Sequence, residues 1–323
     1  MHRRKFLKLA TMAGTAGVFA PATLRAAAPW PEKPVKIIVP FGAGGGTDQL
    51  ARVWAEKLSQ AFNQQFVVDN RGGASGMIGT EAVAKSAPDG YTFLITSNTP
   101  PINLPLLRKV PYDPKALHPV VRIGDAVTGY CVHPGTGLKT LKELVDYAKA
   151  NPGKLAAASP GLGTNGHLRI EMLKFRAGVN FLHVPYRGAA DAMTDLLAGT
   201  VHLMNDPTCN AAAKAGKLTM LCTNHSRRSP DFPDVPTLTE AGYPNSDVPL
   251  WFCIWSPAGV PQPILDALHA KVTEISKTPD IAATLILSGN VPASSTQAEL
   301  LAFREAETKT MADLIKMANI KLE

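Results

Sequence analysis

The stretch "VPFGAGGGTDQLARVWAEKL", Val39–Leu58, decides how this chain reads. A hydrophobic run ends at Val39-Pro40, four glycines fall within Gly42–Gly46, and an amphipathic segment follows at once. "VKIIVP" (Val35–Pro40) has the apolar, β-branched character of a buried strand. Leu50, Val53, Trp54, Leu58, Ala61 and Phe62 recur at helical spacing. The glycines therefore join a strand to a helix that starts near Thr47 or Asp48. The first N–H groups of a helix have no partner within it and carry partial positive charge, so such a terminus favours anions. Glycine lets a ligand approach the backbone closely.

Specific phosphate and acyl chemistries can be scored against this turn. A Walker A loop ends in Gly-Lys-Ser/Thr, whereas here Gly45-Gly46-Thr47 has no lysine. The dinucleotide fingerprint G-x-G-x-x-G fails at its last glycine, which falls on Thr47 counted from Gly42 and on Gln49 counted from Gly44. Asp69, at the end of the next strand, stands where a ribose-binding acid would, so an exported nicotinamide-dependent oxidoreductase stays open as the alternative. "GASGM" (Gly73–Met77) lacks the spacing of a nucleophile elbow. A turn that holds no ligand is the plain structural alternative. Against it stands a second stretch of the same form, "SPGLGTNGHLRIEML" (Ser159–Leu173), in which Gly161, Gly163 and Gly166 open another helix around Thr164 and Asn165. Two such loops facing each other across a cleft would suit an anion better than a catalytic triad.

Outward from these loops, strand-like and helix-like segments alternate. "QFVVDN", "YTFLITSN", "FLHVPY", "VHLMND" and "LTMLCTN" read as strands. The capping box Thr140-Leu-Lys-Glu143 opens "LKELVDYAKA", closed by Asn151-Pro152-Gly153. Helices are expected over His167–Phe175, over Ala189–Ala198, and from Thr296-x-x-Glu299 to about Ala318. This alternation predicts α/β layers with mostly parallel sheets flanked by helices. The length of 323 residues suggests two domains. The chain has two candidate crossings, "IGDAVTGY" (Ile123–Tyr130) and "YPNSDVPLW" (Tyr243–Trp251).

Residues 1–28 read as an export signal that is removed, with a basic head, an apolar middle and a small-residue end. Arg3-Arg4-Lys5-Phe6-Leu7-Lys8 resembles the twin-arginine pattern, and an ordinary secretory signal is the other reading. Five of the 33 basic residues and none of the 26 acidic ones lie in this segment, so the remaining chain carries 28 against 26, a net of +2. That balance gives no argument for nucleic acid. Cys131, Cys209, Cys222 and Cys253 show no C-x-x-C spacing and read as small buried hydrophobes, with one bridge still open. The eight histidines form no H-x-H or H-E-x-x-H, so no metal is expected, and no cofactor is expected outside the oxidoreductase alternative.

The ordered motifs "PFGAGGGTD", "NRGGASGMIGTEAVAKSAPDGYT", "VPYDP", "GLGTNGHL", "HVPYRGAADAMTDLLAG", "RRSPDFPDVPTLTEAGYP" and "WSPAGVP" closely resemble those of the Bug-type receptors of tripartite tricarboxylate transporters, over nearly the whole chain from Trp30. The resemblance implies a periplasmic, non-enzymatic solute-binding protein with the type II-like two-lobed fold and a hinged cleft. The lobes would be 29–126 with 248–323, and 127–247. It implies a monomer that captures a small carboxylate and delivers it to membrane subunits of the transporter.

Carried over residue by residue, it places ligand contacts at Phe41, Gly44, Gly45, Thr47 and Asp48 in the first loop, and at Ser97 and Asn98 after the third strand. In the second lobe it places them at Ser159, Thr164, Asn165, His167, Tyr186, Arg187 and Asp206. Each has a structural alternative. Thr47 or Asp48 suits an N-cap, His167 a core hydrogen bond, Tyr186 packing, Arg187 an ion pair, and Asp206 the cap of a following helix. "MNDPTCNAAAKAG" and "TGYCVHPG" depart from the family pattern and leave the ligand's identity open.

Overall fold

A computed structural model of the chain describes residues 30–224, 228, 229, 231–287 and 289–322. The export signal expected at 1–28 lies outside the described residues. β1 (Val35–Val39), β2 (Phe66–Asn70), β3 (Thr92–Ser97) and β4 (Leu117–Ala126) enter one sheet. After the single residue Val127 the chain enters a second sheet, built from β5 (Thr128–Val132), β6 (Ala156–Ser159), β7 (Leu182–Pro185), β8 (Leu203–Met204) and β9 (Thr219–Asn224). It returns to the first sheet with β10 (Trp251–Pro257) and β11 (Asn290–Val291). The strand orders are β11-β4-β10-β3-β1-β2 and β7-β6-β8-β5-β9.

The parallel pairing expected from strand–helix alternation holds where helices make the crossovers: β1 pairs in parallel with β2 and β3, and β6 with β7 and β8. The strands beside the passages between sheets are antiparallel to their neighbours. β10 runs against β3 and β4, and β5 against β8 and β9. A chain that leaves the first sheet at the end of β4 and re-enters it at that same end runs back along β10, so the two lie antiparallel.

In the first half, α1 (Gly46–Phe62) and α2 (Met77–Ala84) are the crossovers, and α3 (Leu104–Leu107) follows β3. α4 (Leu141–Ala150), α5 (Asn165–Ala177), α6 (Ala189–Leu197) and α7 (Cys209–Lys214) connect the second sheet's strands. α8 (Gln262–Ser276), α9 (Pro279–Leu287) and α10 (Gln297–Met317) follow the return. The expected capping boxes are formed at Thr140 with Glu143 and at Thr296 with Glu299. The stripe read in α1 faces inward, with Leu50, Trp54 and Leu58 buried. α10 is fixed to the first sheet by Trp251 Nε1, which donates to Glu307 Oε2 at 3.0 Å, and by Arg304 Nη1, which donates to the Leu117 carbonyl at 3.2 Å. All four cysteines are free and buried. Among the described residues no helix is long and apolar enough to cross a membrane, and no group of His, Cys, Asp and Glu could hold a metal ion.

A candidate anion site at two helix N-termini

β1 ends at Val39 and the glycine turn hands the chain to α1 at Gly46. Gly45 is the N-cap and is extended (φ −75°, ψ 165°); the left-handed residue of the turn is Gly44 (φ 80°). No side chain caps α1. The N–H groups of Gly46, Thr47 and Asp48 precede the first intrahelical bond, which Gln49 donates to the Gly45 carbonyl, and they meet no acceptor among the described residues. β6 ends at Ser159 and a second glycine loop hands the chain to α5. Thr164 caps α5 by accepting from His167 N, yet the N–H groups of Asn165 and Gly166 are left without acceptors in the same way.

The two termini open on one cavity of about 50 Å³, several times the ~10–15 Å³ that seats one water. Phe41, Gly45, Gly46 and Thr47 line it from the first turn, Ser97 and Thr99 from beyond β3, and Leu250 and Phe252 from β10 and the residue before it. Pro160, Thr164, Asn165, Gly166, Ala189, Asp206 and Pro207 close it from the second half. Seven of the residues expected at the site thus come together: Phe41, Gly45, Thr47, Ser97, Thr164, Asn165 and Asp206.

The other seven do not line it, and six of them bond elsewhere. Gly44 is exposed and donates its N–H to Asp48 Oδ2 at 2.8 Å. Asp48 is buried, and it also accepts from Arg52 Nε at 3.0 Å and from Asn70 Nδ2 at 2.9 Å. Burial acts to raise its pKa, but these bonds outweigh it and hold the carboxyl below its usual range. Asp48 therefore shapes the first turn from behind. Asn98 straps β3 to the returning chain, its Nδ2 donating to the Pro249 carbonyl at 3.2 Å. Ser159 Oγ meets His183 Nε2 at 2.7 Å behind the second loop. Tyr186 donates its hydroxyl to Asp195 at 2.6 Å. Arg187 is exposed and has no ion pair among the described residues. Asp69 pairs with Arg71 and does not line the cavity.

His167 is buried in the first turn of α5, where its Nδ1 accepts from Gly163 N at 3.0 Å. Its ring stacks on His183 with centroids 4.2 Å apart. Burial, then the Lys174 charge, pushes the His167 pKa down to about 4. Burial, then His167, pushes His183 down to about 3. Both folded values lie below the unfolded value near 6.5, so this pair's contribution to stability is complete above that pH and is lost as pH falls toward the folded values. Between pH 7 and 5 the loss from His167 is about 2 kcal/mol, and from the less buried His183 somewhat less. Melting curves are expected to drop by several degrees over that range. His183→Gln is expected to flatten the drop; an unchanged slope would remove the pair from the account.

Sequence reasoning missed Thr99 and Arg169. Thr99 Oγ1 donates to Asn165 Oδ1 at 2.6 Å, and Asn165 Nδ2 donates to the Pro249 carbonyl at 2.5 Å, so Asn165 ties the second loop to the first half. Arg169, 1% exposed, donates Nε to the Val248 carbonyl at 2.9 Å. Its Nη1 donates to Thr128 Oγ1 at 2.5 Å and to Asn205 Oδ1 at 3.1 Å. Its one available signal was a charged residue on the inward stripe of "GHLRIEML".

The family model for the tripartite tricarboxylate transporter family receptor matches residues 50–320. Protein BugT of Bordetella pertussis is 35% identical over 314 residues, spanning 96% of this chain and 95% of that protein. The structure of R. palustris Rpa4515 with adipate superposes with a TM-score of 0.87 at 33% identity, covering 90% of this chain and 99% of that one. The periplasmic binding protein BugD superposes with a TM-score of 0.86 at 34% identity, covering 91% and 100%.

Proposed function

The chain belongs to the tripartite tricarboxylate transporter receptor family, and from that premise we propose that it captures a small carboxylate anion between its two sheets and delivers it to the membrane subunits of a cognate transporter. The observation that carries this reading is the convergence of two sets of unpaired helix N–H groups, Gly46–Thr47 and Asn165–Gly166, on one cavity. Four amide donors and two helix dipoles, held in place before any ligand arrives, suit a carboxylate and require no charged side chain. The apolar walls of Phe41, Leu250 and Phe252 give a carbon skeleton a place to lie. Relatives of this size and likeness include one solved with adipate.

The halves divided at 126/127 and 247/248 act as lobes in this reading, and binding shifts the equilibrium toward the closed arrangement because only there do both helix ends meet the ligand. Export through the twin-arginine-like segment at Arg3-Arg4 places the receptor in the periplasm. Action by binding alone is part of this reading, in keeping with the receptor family to which the chain belongs.

A thermal-shift panel on the purified chain lacking residues 1–28 tests the reading. A ligand at about 100 times its Kd adds roughly 2.7 kcal/mol to stability. At about 2–4 °C per kcal/mol, a carboxylate that fits is expected to raise the melting temperature by several degrees. Sugars, metal cations and NAD(P) are expected to leave it unchanged. A shift with NAD(P) and with no carboxylate would make the exported oxidoreductase the better account.

A further inference from the structure

One cavity residue is at odds with a site built only for anions. Asp206 is 9% exposed and lines the cavity. Its Oδ1 is fully engaged at the start of α7, accepting from Thr208 N at 3.0 Å and from Thr208 Oγ1 at 2.7 Å. Its Oδ2 accepts no hydrogen bond from any described residue. Burial pushes the carboxyl upward, while the Thr208 bonds and the nearby Arg169 charge pull the other way. Arg169 reaches this strand through Asn205, the residue before Asp206, and so sets a fixed positive charge behind it. A carboxylate oxygen on a cavity wall with no protein donor is left for a bound molecule to serve. Asp206 lines the cavity, so a ligand held there can supply that donor.

We propose that Asp206 determines specificity, selecting ligands that carry a hydroxyl or ammonium donor beside their carboxylate over plain acids of the same skeleton. This rests on the carboxylate reading above. The ligand carboxylate sits on the amides of Gly46–Thr47 and Asn165–Gly166, and its donor gives a hydrogen bond to Asp206 Oδ2. A plain dicarboxylate that turns its second carboxylate to this wall meets a like charge instead, and one that turns its chain there leaves Oδ2 unsatisfied. Both losses fall on the plain acid, so discrimination is large for a single side chain: a hydrogen bond to a charged group corresponds to about ten- to a hundredfold in affinity.

The experiment uses matched sets: succinate, malate and aspartate; glutarate, 2-hydroxyglutarate and glutamate; 3-phenylpropanoate, phenyllactate and phenylalanine. Each is titrated by calorimetry into the wild-type protein and Asp206→Asn. In the set whose skeleton fits, the wild type is expected to bind a donor-bearing member at least tenfold tighter than the plain one. In Asp206→Asn, which keeps an acceptor but loses the charge, the ammonium member is expected to weaken tenfold or more and the plain acid to hold or improve. The hydroxyl member is expected to weaken less than the ammonium member, which separates the two donors. Equal affinity for plain and donor-bearing acids in the wild type overturns the role of Asp206 while leaving the carboxylate reading in place, and this arm needs no variant to fold. An ammonium member that loses no affinity in a folded Asp206→Asn does the same. No binding by any carboxylate overturns the reading of the site and this inference together.

Discussion

Arg169→Ala is expected to lower the melting temperature on the order of 10 °C, which is a large effect for one residue outside the cavity lining. The guanidinium is buried and serves three acceptors that come from different places in the chain. Val248 lies on the passage back to the first sheet, Thr128 opens β5 just after the outward passage, and Asn205 precedes Asp206. Alanine leaves all three buried acceptors unserved and opens a cavity besides. Breaking a buried charged contact in this way costs about 3–5 kcal/mol. At roughly 2–4 °C per kcal/mol for a chain of this size, that gives the stated shift.

Burial works against the Arg169 charge, whereas the carboxylates of Asp247 and Asp206 favour it. Arg169→Lys keeps a cation but not the planar fork that reaches three acceptors at once, so it is expected to recover less than half of the loss. A melting temperature within 2 °C of wild type for Arg169→Ala would show that the three contacts are dispensable.

What the sequence allowed and what it hid follow from the range of the interactions involved. The strand, glycine turn and helix of Val35–Phe62 were legible because the apolar run, the glycines and the stripe are all local signals, and so were the capping boxes at Thr140 and Thr296. The direction of β10 was not, because nothing within "WFCIWSP" records that it lies between β3 and β4. Within the site, spacing marks which turn holds the donors but not which way each side chain leaves it. Thr47 and Asp48 are neighbours about 100° apart on the helix, so one faces the cavity and the other braces the loop against Arg52 and Asn70. Ser159 and His167 flank the second loop and turn to His183 rather than to the cavity. Arg169 was hidden for a related reason: its partners lie 36 to 79 positions away in the chain.

Gly163→Val is expected to abolish carboxylate binding while leaving a folded protein, because this glycine stands where the two halves touch. A Cβ built on Gly163 would lie 2.6 Å from Leu104 Cδ2 and 3.2 Å from Leu107 Cδ1, both on α3 beyond the first sheet's β3. Leu104 is fully buried, so its side chain gives way only by disturbing its neighbours. Carbon atoms attract best at about 3.5–4.0 Å, so even a methyl group needs roughly 1 Å of retreat, and the branched side chain needs more. The second glycine loop must then move off the first half and carry the Asn165 and Gly166 amides with it. Hydrogen bonds lengthened by 1 Å are lost. Two such bonds to a charged carboxylate correspond to about 3–6 kcal/mol, a hundredfold in Kd or more.

Gly163 is also left-handed (φ 74°), so valine there strains the backbone as well as blocking space. Gly137 separates the two effects. Its φ is 71°, and an added Cβ would meet nothing within 4 Å. Gly137→Val is therefore expected to lose stability through strain alone and to bind as the wild type does. The probe is whichever carboxylate gives the largest thermal shift, titrated by calorimetry into the three proteins. Wild-type affinity in Gly163→Val, or an equal loss in Gly137→Val, would show that contact between the halves at this glycine is not what holds the ligand.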